Sequence, residues 1–291
     1  VLAMIKRNLL LYFRDRSGVF FSLLGALISF ILYLVFLKQN MLTSWQRVPH
    51  AKLLLDTWLI GGTLSITGIT TTLTSLSLMV NDKEKHVTAD LELTDAGPFR
   101  LFTSYLCSAT IIGTLMQAVM LIIMWGNFYL TDGVTLGSST VGKVLGLMVI
   151  SSLLATMVNA VIISGVHAVN TLNKLGTIVG TAAGFLVGTY MPIGILPTFA
   201  QDLVKFVPGS YVAALYRQYL MAGNLKTAFA GNWIARTHFE QLMGVRLNWS
   251  TLLTHPETYR IMGLILIGAT ALAFGPVWVR LHRQHQSIQE R

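Results

Sequence analysis

Charge and cysteine are the scarce ingredients of this sequence. Charged residues make up 11% of its 291 positions, against roughly 25% in a soluble domain, so a solvated surface cannot be built. That excludes a cytosolic globular enzyme and a disordered chain. A single cysteine, Cys107, excludes a disulfide scaffold, a CxxC redox site and a cysteine-based zinc site. No GxxxxGKS or GxxxxGKT loop occurs, so the chain cannot hold ATP in that way. The seven histidines form neither an HExxH motif nor a His/Asp cluster. What is abundant is apolar. Hydrophobic residues reach 53% and mean hydropathy is +0.63, the profile of a polytopic membrane protein. The net charge of +9 needs no nucleic acid partner, because membrane proteins collect Lys and Arg at the cytoplasmic face.

Six runs lack charge over the length that spans a bilayer core of about 30 Å as a helix. They are Val19–Leu37, Trp58–Val80, Leu106–Tyr129, Val144–Val166, Leu175–Met191 and Ile261–Val279. Lipid cannot satisfy an open backbone, and no ten-residue alternating segments suggest a barrel, so the expected fold is all-α with six transmembrane helices. The first run is followed by Lys38-Gln39-Asn40 rather than a small-residue cleavage site, and reads as an uncleaved anchor. With the N-terminus inside, eleven Lys and Arg fall on the cytoplasmic side and four in the two short outer loops. Both termini are therefore expected in the cytoplasm. Residues 1–18 form a separate piece. Lys6, Arg7 and Asn8 recur as Arg14, Asp15 and Arg16 two turns later, which suits an amphipathic helix lying in the headgroup layer.

None of the twelve acidic residues falls inside these six runs. Ion-coupled carriers usually need an intramembrane carboxylate, and an intramembrane enzyme needs a buried acid, a metal cluster or a nucleophile–base pair. Any uphill movement must then be powered by a partner. The polar groups within the runs are mild. Thr67, Thr70, Thr71, Thr74 and Gln117 suit either interhelical packing or the lining of a pathway. Gly176, Gly180, Gly184 and Gly188 recur every four residues as one bare stripe. It allows close helix approach, within the subunit or between subunits.

Two segments stand apart. Residues 81–100 hold Asp82, Lys83, Glu84, Lys85, Asp90, Glu92 and Asp95, with Leu91 and Leu93 among them, before Gly97-Pro98 stops the helix. The stretch suits a solvated connection or a short helix that docks into a soluble protein. The second segment follows the fifth run, with Met191, Pro192, Pro197, Pro208, Tyr211 and Arg217. Its prolines break helices while its composition stays apolar. Backbone of that kind at membrane depth is tolerated only inside protein or beside water, which suggests two short helices dipping back from the outer face.

Taken together, these features resemble the membrane subunit of a type-2 ATP-binding-cassette exporter over essentially the whole chain. That resemblance implies a single transmembrane domain over 1–291, with an interfacial helix, a coupling helix in 81–100 and a re-entrant outer hairpin within 192–258. The Asp82-Lys83-Glu84…Asp90…Gly97-Pro98…Arg100 series is similar to the family's coupling motif, although His86 and Val87 stand where a small residue is common. Met221–Thr258 looks longer than a minimal member needs, and is expected to cap the outer face around Trp233 and Trp249. The resemblance further implies two copies of this fold, identical or related, on two cytosolic ATPases that bind ATP and Mg; this chain binds no cofactor and has no catalytic role. Asp82, Lys83, Glu84, Lys85, Asp90, Leu91 and Leu93 would meet the ATPase. Met191, Pro192, Pro197, Pro208, Tyr211 and Arg217 would form the outer gate. Hydroxyl-bearing spans without buried charge suit an amphipathic cargo, and the likeness is nearest to Gram-positive exporters of drugs, antibiotics or toxins. Export of lipid or lipid-linked polysaccharide is the alternative within the fold, and a membrane enzyme or passive channel is the rival outside it.

Overall fold

The computed structural model describes residues 1–92 and 97–289, with side chains described at 1–91 and 97–275. Among these residues the chain is helical, apart from an isolated bridge between Asn248 and Leu252. The elements run α1 (Leu2–Arg14), α2 (Arg16–Leu32), a π-helical turn (Tyr33–Leu37), α3 (Lys38–Ser44), α4 (Ala51–Glu84), α5 (Val87–Glu92) and α6 (Gly97–Asp132). They continue with α7 (Ser138–Ile163), α8 (Val169–Leu186), a 3-10 turn (Ile193–Ile195), α9 (Thr198–Phe206), α10 (Pro208–Ala228), α11 (Trp233–Leu242) and α12 (His255–Gln289).

Five helical stretches are long and apolar enough to cross a membrane: Arg16–Ser44, Ala51–Glu84, Gly97–Asp132, Ser138–Ile163 and His255–Gly275. The run expected at Leu175–Met191 lies mainly on α8. That helix starts earlier, takes in Asn170, Asn173 and Lys174, and ends at Leu186. Those polar residues dilute it, so by length and apolarity the expected six spans become five among the described residues.

α4 is the axis of the bundle. Its span is 83% buried, and α2, α6, α7, α8 and α10 pack around it. The outer helices are correspondingly open to lipid, with Ile122, Leu264, Ile267 and Leu272 exposed. In a bilayer such exposure costs nothing, because lipid tails are as apolar as the side chains they meet.

At the N-terminus one residue makes the break between two helices. Asp15 ends α1, and its carboxylate accepts a hydrogen bond from the Gly18 backbone N–H at 2.9 Å, capping α2. α1 is amphipathic as expected, but its polar side faces the protein. Asn8 and Tyr12 are buried, while Leu2, Leu10 and Phe13 are exposed. Its apolar side is left for the bilayer. Burial pushes the Tyr12 phenol up to about 12.

The α9–α10 pair turns on Val207. Pro197 precedes α9 as its N-cap residue and Pro208 opens α10, so both prolines sit where a missing N–H does no harm. The Ser65 hydroxyl donates to Gly209 O at 2.7 Å. Ser65 lies about 20 Å along α4 from its first residue, at about 1.5 Å per residue. From that depth α10 runs back along α4 toward Trp58, where Arg217 reaches it.

Candidate functional site

The end of α4 carries the expected coupling stretch, and the structure divides it. Lys83 and Glu84 complete the last turn of α4, Lys85 caps it, and α5 starts afresh at Val87. Between them His86 adopts φ 60°, a left-handed conformation that costs a residue with a Cβ about 1–2 kcal/mol. A corner of that kind explains why a small residue would suit the position. The helix spacing expected through Lys83, Glu84, Val87 and Leu91 is therefore broken into two helices. Leu93 and Asp95 lie outside the described residues.

Asp82 is buried, 3% exposed. Its carboxylate accepts two hydrogen bonds from Arg7, at 2.7 and 3.0 Å, and one from the Tyr105 hydroxyl at 2.5 Å. The bond to Asp82 is the main reason the Arg7 guanidinium is held above its ordinary pKa. One turn of α6 further on, Asn8 donates to the Ser108 hydroxyl at 3.1 Å. The result is a clamp joining α1, α4 and α6. Asp82 thus binds its own chain instead of standing on a docking surface. Glu84 is exposed, and its carboxylate accepts from the Val169 backbone N–H at 2.8 Å, at the start of α8. An acid there also meets the positive end of the helix dipole. Leu91 is half-buried against the chain's own core. Lys85, His86, Ala89 and Asp90 remain as the outward face of the corner.

The opposite end of the bundle has a charge cluster that the uncharged-run reading misses. α4 begins at Ala51, not at Trp58, so Asp56 lies inside a spanning helix and is 0% exposed. Tyr33 donates to it at 2.8 Å, and Lys38 lies 2.9 Å away. Lys38 also reaches Asp132 at 2.5 Å, and Lys52 pairs with Asp132. The expectation that no acid enters a span is therefore corrected, for Asp132 closes α6 in the same way. The signal was present in the sequence: Asp56 sits between Leu53-Leu54-Leu55 and Trp58, an apolar setting that a free carboxylate would not tolerate.

The expected gate residues separate into two groups. Met191 and Pro197 are exposed and Pro192 is half-buried. Tyr211 and Arg217 are 0% exposed. Tyr211 donates to Lys205 O at 2.5 Å and fixes the α9–α10 turn. Arg217 donates to Gly188 O at 2.7 Å and to Gly244 O at 3.1 Å, and it lies over the Trp58 ring at 4.8 Å. Gly188 and Gly244 have φ values of 68° and 63°, each two residues beyond the end of its helix, α8 or α11. The guanidinium is thus neutralised by carbonyls at two helix C-termini, where the dipole is negative. Among the described residues no carboxylate pairs with it.

The glycine stripe divides too. A Cβ on Gly184 would lie 2.0 Å from the Tyr190 ring, and Gly188 serves the turn after α8. At Gly176 a Cβ would meet nothing within 4 Å, and at Gly180 only Thr70, at 4.0 Å. The first two glycines therefore lie on an open face, next to exposed Asn173, Thr177 and Thr181. Of the candidate lining residues, Thr67, Thr71 and Gln117 are packed inside the subunit. Gln117 bonds Ser151, Ser152 and Tyr216. Thr70 and Thr74 are half-buried, and Thr70 donates to Ser22 O at 2.7 Å, joining α2 to α4.

Compared with known families, residues 1–221 match the sequence model described as ABC-2 type transporter. No curated protein matches the chain.

Proposed function

This chain belongs to the ABC-2 type transporter family, as a non-catalytic, multi-pass membrane component, and on that premise we propose that it forms the export pathway for an amphipathic small molecule. A cytosolic ATPase binds ATP and Mg and supplies the work. Two ATPase copies and a second copy of this fold, or a related one, complete the assembly, with both termini of this chain in the cytoplasm.

The observation that carries this reading is the corner at His86. It presents Lys85, Ala89 and Asp90 outward, while Asp82 and Glu84, on the same turn, are tied to α1, α6 and α8. A partner pressing on the corner therefore moves the spans directly. The depth of Gly209 along α4 supports a re-entrant α9–α10 hairpin at the far end. Support for the cargo class comes from the open face of α8. Its Asn173, Thr177 and Thr181 suit a ligand with both polar and apolar parts, and membrane-facing helices seldom spend such residues on lipid. Among exporters, the drug, antibiotic and toxin group is the proposed one; lipid-linked polysaccharide needs a wide aromatic-lined channel, and the open face of α8 is instead lined by small polar residues and glycine.

The test is charge reversal on the docking face. Asp90→Lys in the full chain is expected to reduce the ATPase recovered with it and to lower ATP-driven transport in liposomes. Its thermal stability should stay within about 0.5 kcal/mol, as for an exposed site. Normal assembly and transport would remove residues 85–90 from the interface. Uphill transport by the chain alone would end the whole proposal.

A further inference from the structure

A polar cavity of about 280 Å³ lies where α12 begins, walled by α10, α11 and the loop after α11. Its polar lining is Gln218, Arg236, Glu240, Arg246, Thr254 and His255. Gln218 is 6% exposed. Its amide nitrogen donates to Val245 O at 3.0 Å, which fixes the orientation of the amide, and its Oε1 has no partner among the described residues. Buried acceptors are normally satisfied. A ligand that fits here therefore brings a donor.

The charges ask for something else as well. Arg236 donates to Glu240 at 2.7 Å through Nε, and its terminal nitrogens carry no hydrogen bond among the described residues. Arg246 is held rigid by the carbonyls of Leu253 and Leu252, at 2.8 and 2.7 Å, and its Nη1 stands 3.6 Å from Glu240. Two guanidinium groups thus face one carboxylate. Nearby, Lys143 lies 5.9 Å from the Tyr219 ring, and Glu257 is bonded to Thr254. The surplus is positive, and guanidinium forks match oxyanions. His255 is also the first residue of a spanning helix, the level at which an apolar segment meets headgroups.

We propose that this cavity binds a phosphate ester with an adjacent hydroxyl or ammonium group, placing the phosphate on Arg236 and Arg246 and the donor on Gln218 Oε1. Phosphatidylethanolamine and phosphatidylglycerol headgroups have that chemistry, and so does soluble glycerol phosphate. Phosphatidylcholine lacks the donor. The inference does not depend on what the chain transports.

The experiment uses the purified full chain. One arm measures binding of sn-glycerol 3-phosphate by calorimetry, with glycerol as the phosphate-free control. The other measures, by native mass spectrometry, lipid retained from nanodiscs of phosphatidylethanolamine or phosphatidylglycerol against phosphatidylcholine. Preference for the donor-bearing ligand is expected in at least one arm, and the arm that responds identifies the source. Arg236→Gln should weaken binding about tenfold or more, as expected for loss of a charged hydrogen bond. Gln218→Leu should abolish the preference over phosphatidylcholine while leaving phosphatidylcholine binding unchanged. If Gln218→Leu destabilises the chain, Arg236→Gln decides the matter alone, since that side chain is 42% exposed. The proposal is overturned by no preference in either arm, or by binding that Arg236→Gln does not weaken.

Discussion

Replacing Asp82 with asparagine should loosen the α1–α4–α6 clamp while leaving its shape nearly intact. The carboxylate accepts two hydrogen bonds from Arg7 and one from Tyr105. Asparagine keeps one acceptor and turns an NH₂ donor toward a cation. Charge-assisted bonds contribute about 1.5–3 kcal/mol, and unpairing one member of a buried ion pair costs about 3–5 kcal/mol. Water offsets part of that here, because Arg7 is 30% exposed although Asp82 is only 4% exposed. The expected loss is therefore about 2–3 kcal/mol. Arg7→Gln should cost a similar amount, since it leaves the carboxylate buried with Tyr105 alone. Applied to both positions, denaturant unfolding in mixed micelles gives a double-mutant cycle with an expected coupling of about 1–2 kcal/mol. Additivity within about 0.5 kcal/mol would refute the clamp as an energetic unit. In the assembled transporter the same variants should still hydrolyse ATP and move less cargo per ATP. A proportional fall in both activities would mean that the clamp matters only for folding.

Two further outcomes test the opposite end and the exposed helix. Arg217→Met leaves the Gly188 and Gly244 carbonyls unpaired and should cost about 3–5 kcal/mol. Arg217→Lys, a point charge without the fork, should fall between that variant and the native protein. Thermal unfolding of the full chain reads both, and a neutral Arg217→Met would show that the two helix ends need no counter-charge. Gly184→Leu drives a side chain into the Tyr190 ring and should destabilise the single subunit, whereas Gly176→Leu enters open space. Any defect from Gly176→Leu should therefore appear in subunit association, measured by size-exclusion chromatography with light scattering, and not in subunit stability.

The helices were legible because uncharged runs are a one-dimensional property. Their exact ends were not, because charges enter a helix when paired in space. Asp56 and Asp82 both extend α4 beyond the run that contains neither. Their partners come from afar: Arg7 is 75 residues from Asp82, and Lys38 is 94 from Asp132. No local spacing rule connects such pairs. Arg217 was marked out by its place among the prolines, but its role was hidden for another reason. It is answered by carbonyls at helix ends, and a search for a matching acid finds none. The glycine period was likewise visible while its uses were not. Whether a missing side chain makes room for a neighbour, a turn or a second subunit depends on what stands opposite.

The two ion clusters give the mechanism its mechanical form. Asp56 and Asp82 are about 39 Å apart along α4, at about 1.5 Å per residue. At one end α4 is tied to α6 through Lys38 and Asp132, and at the other through Asp82 and Tyr105. Between them the helices are in close contact: a Cβ on Gly68 would lie 3.0 Å from Gln117, and one on Gly113 would lie 2.5 Å from Thr72. A helix pair fixed at both ends and closely packed between them has little room to bend, since packed interiors shift between discrete arrangements more readily than they deform. α8 is built differently. Much of it is exposed, and polar links hold it at its two ends, Glu84 on the Val169 N–H and Arg217 on Gly188 O. A push on the His86 corner thus has two outlets. One moves α4 and α6 as a block, and the other reaches α8 through Glu84 alone, so relative motion is concentrated at the face that carries Gly176, Thr177 and Gly180.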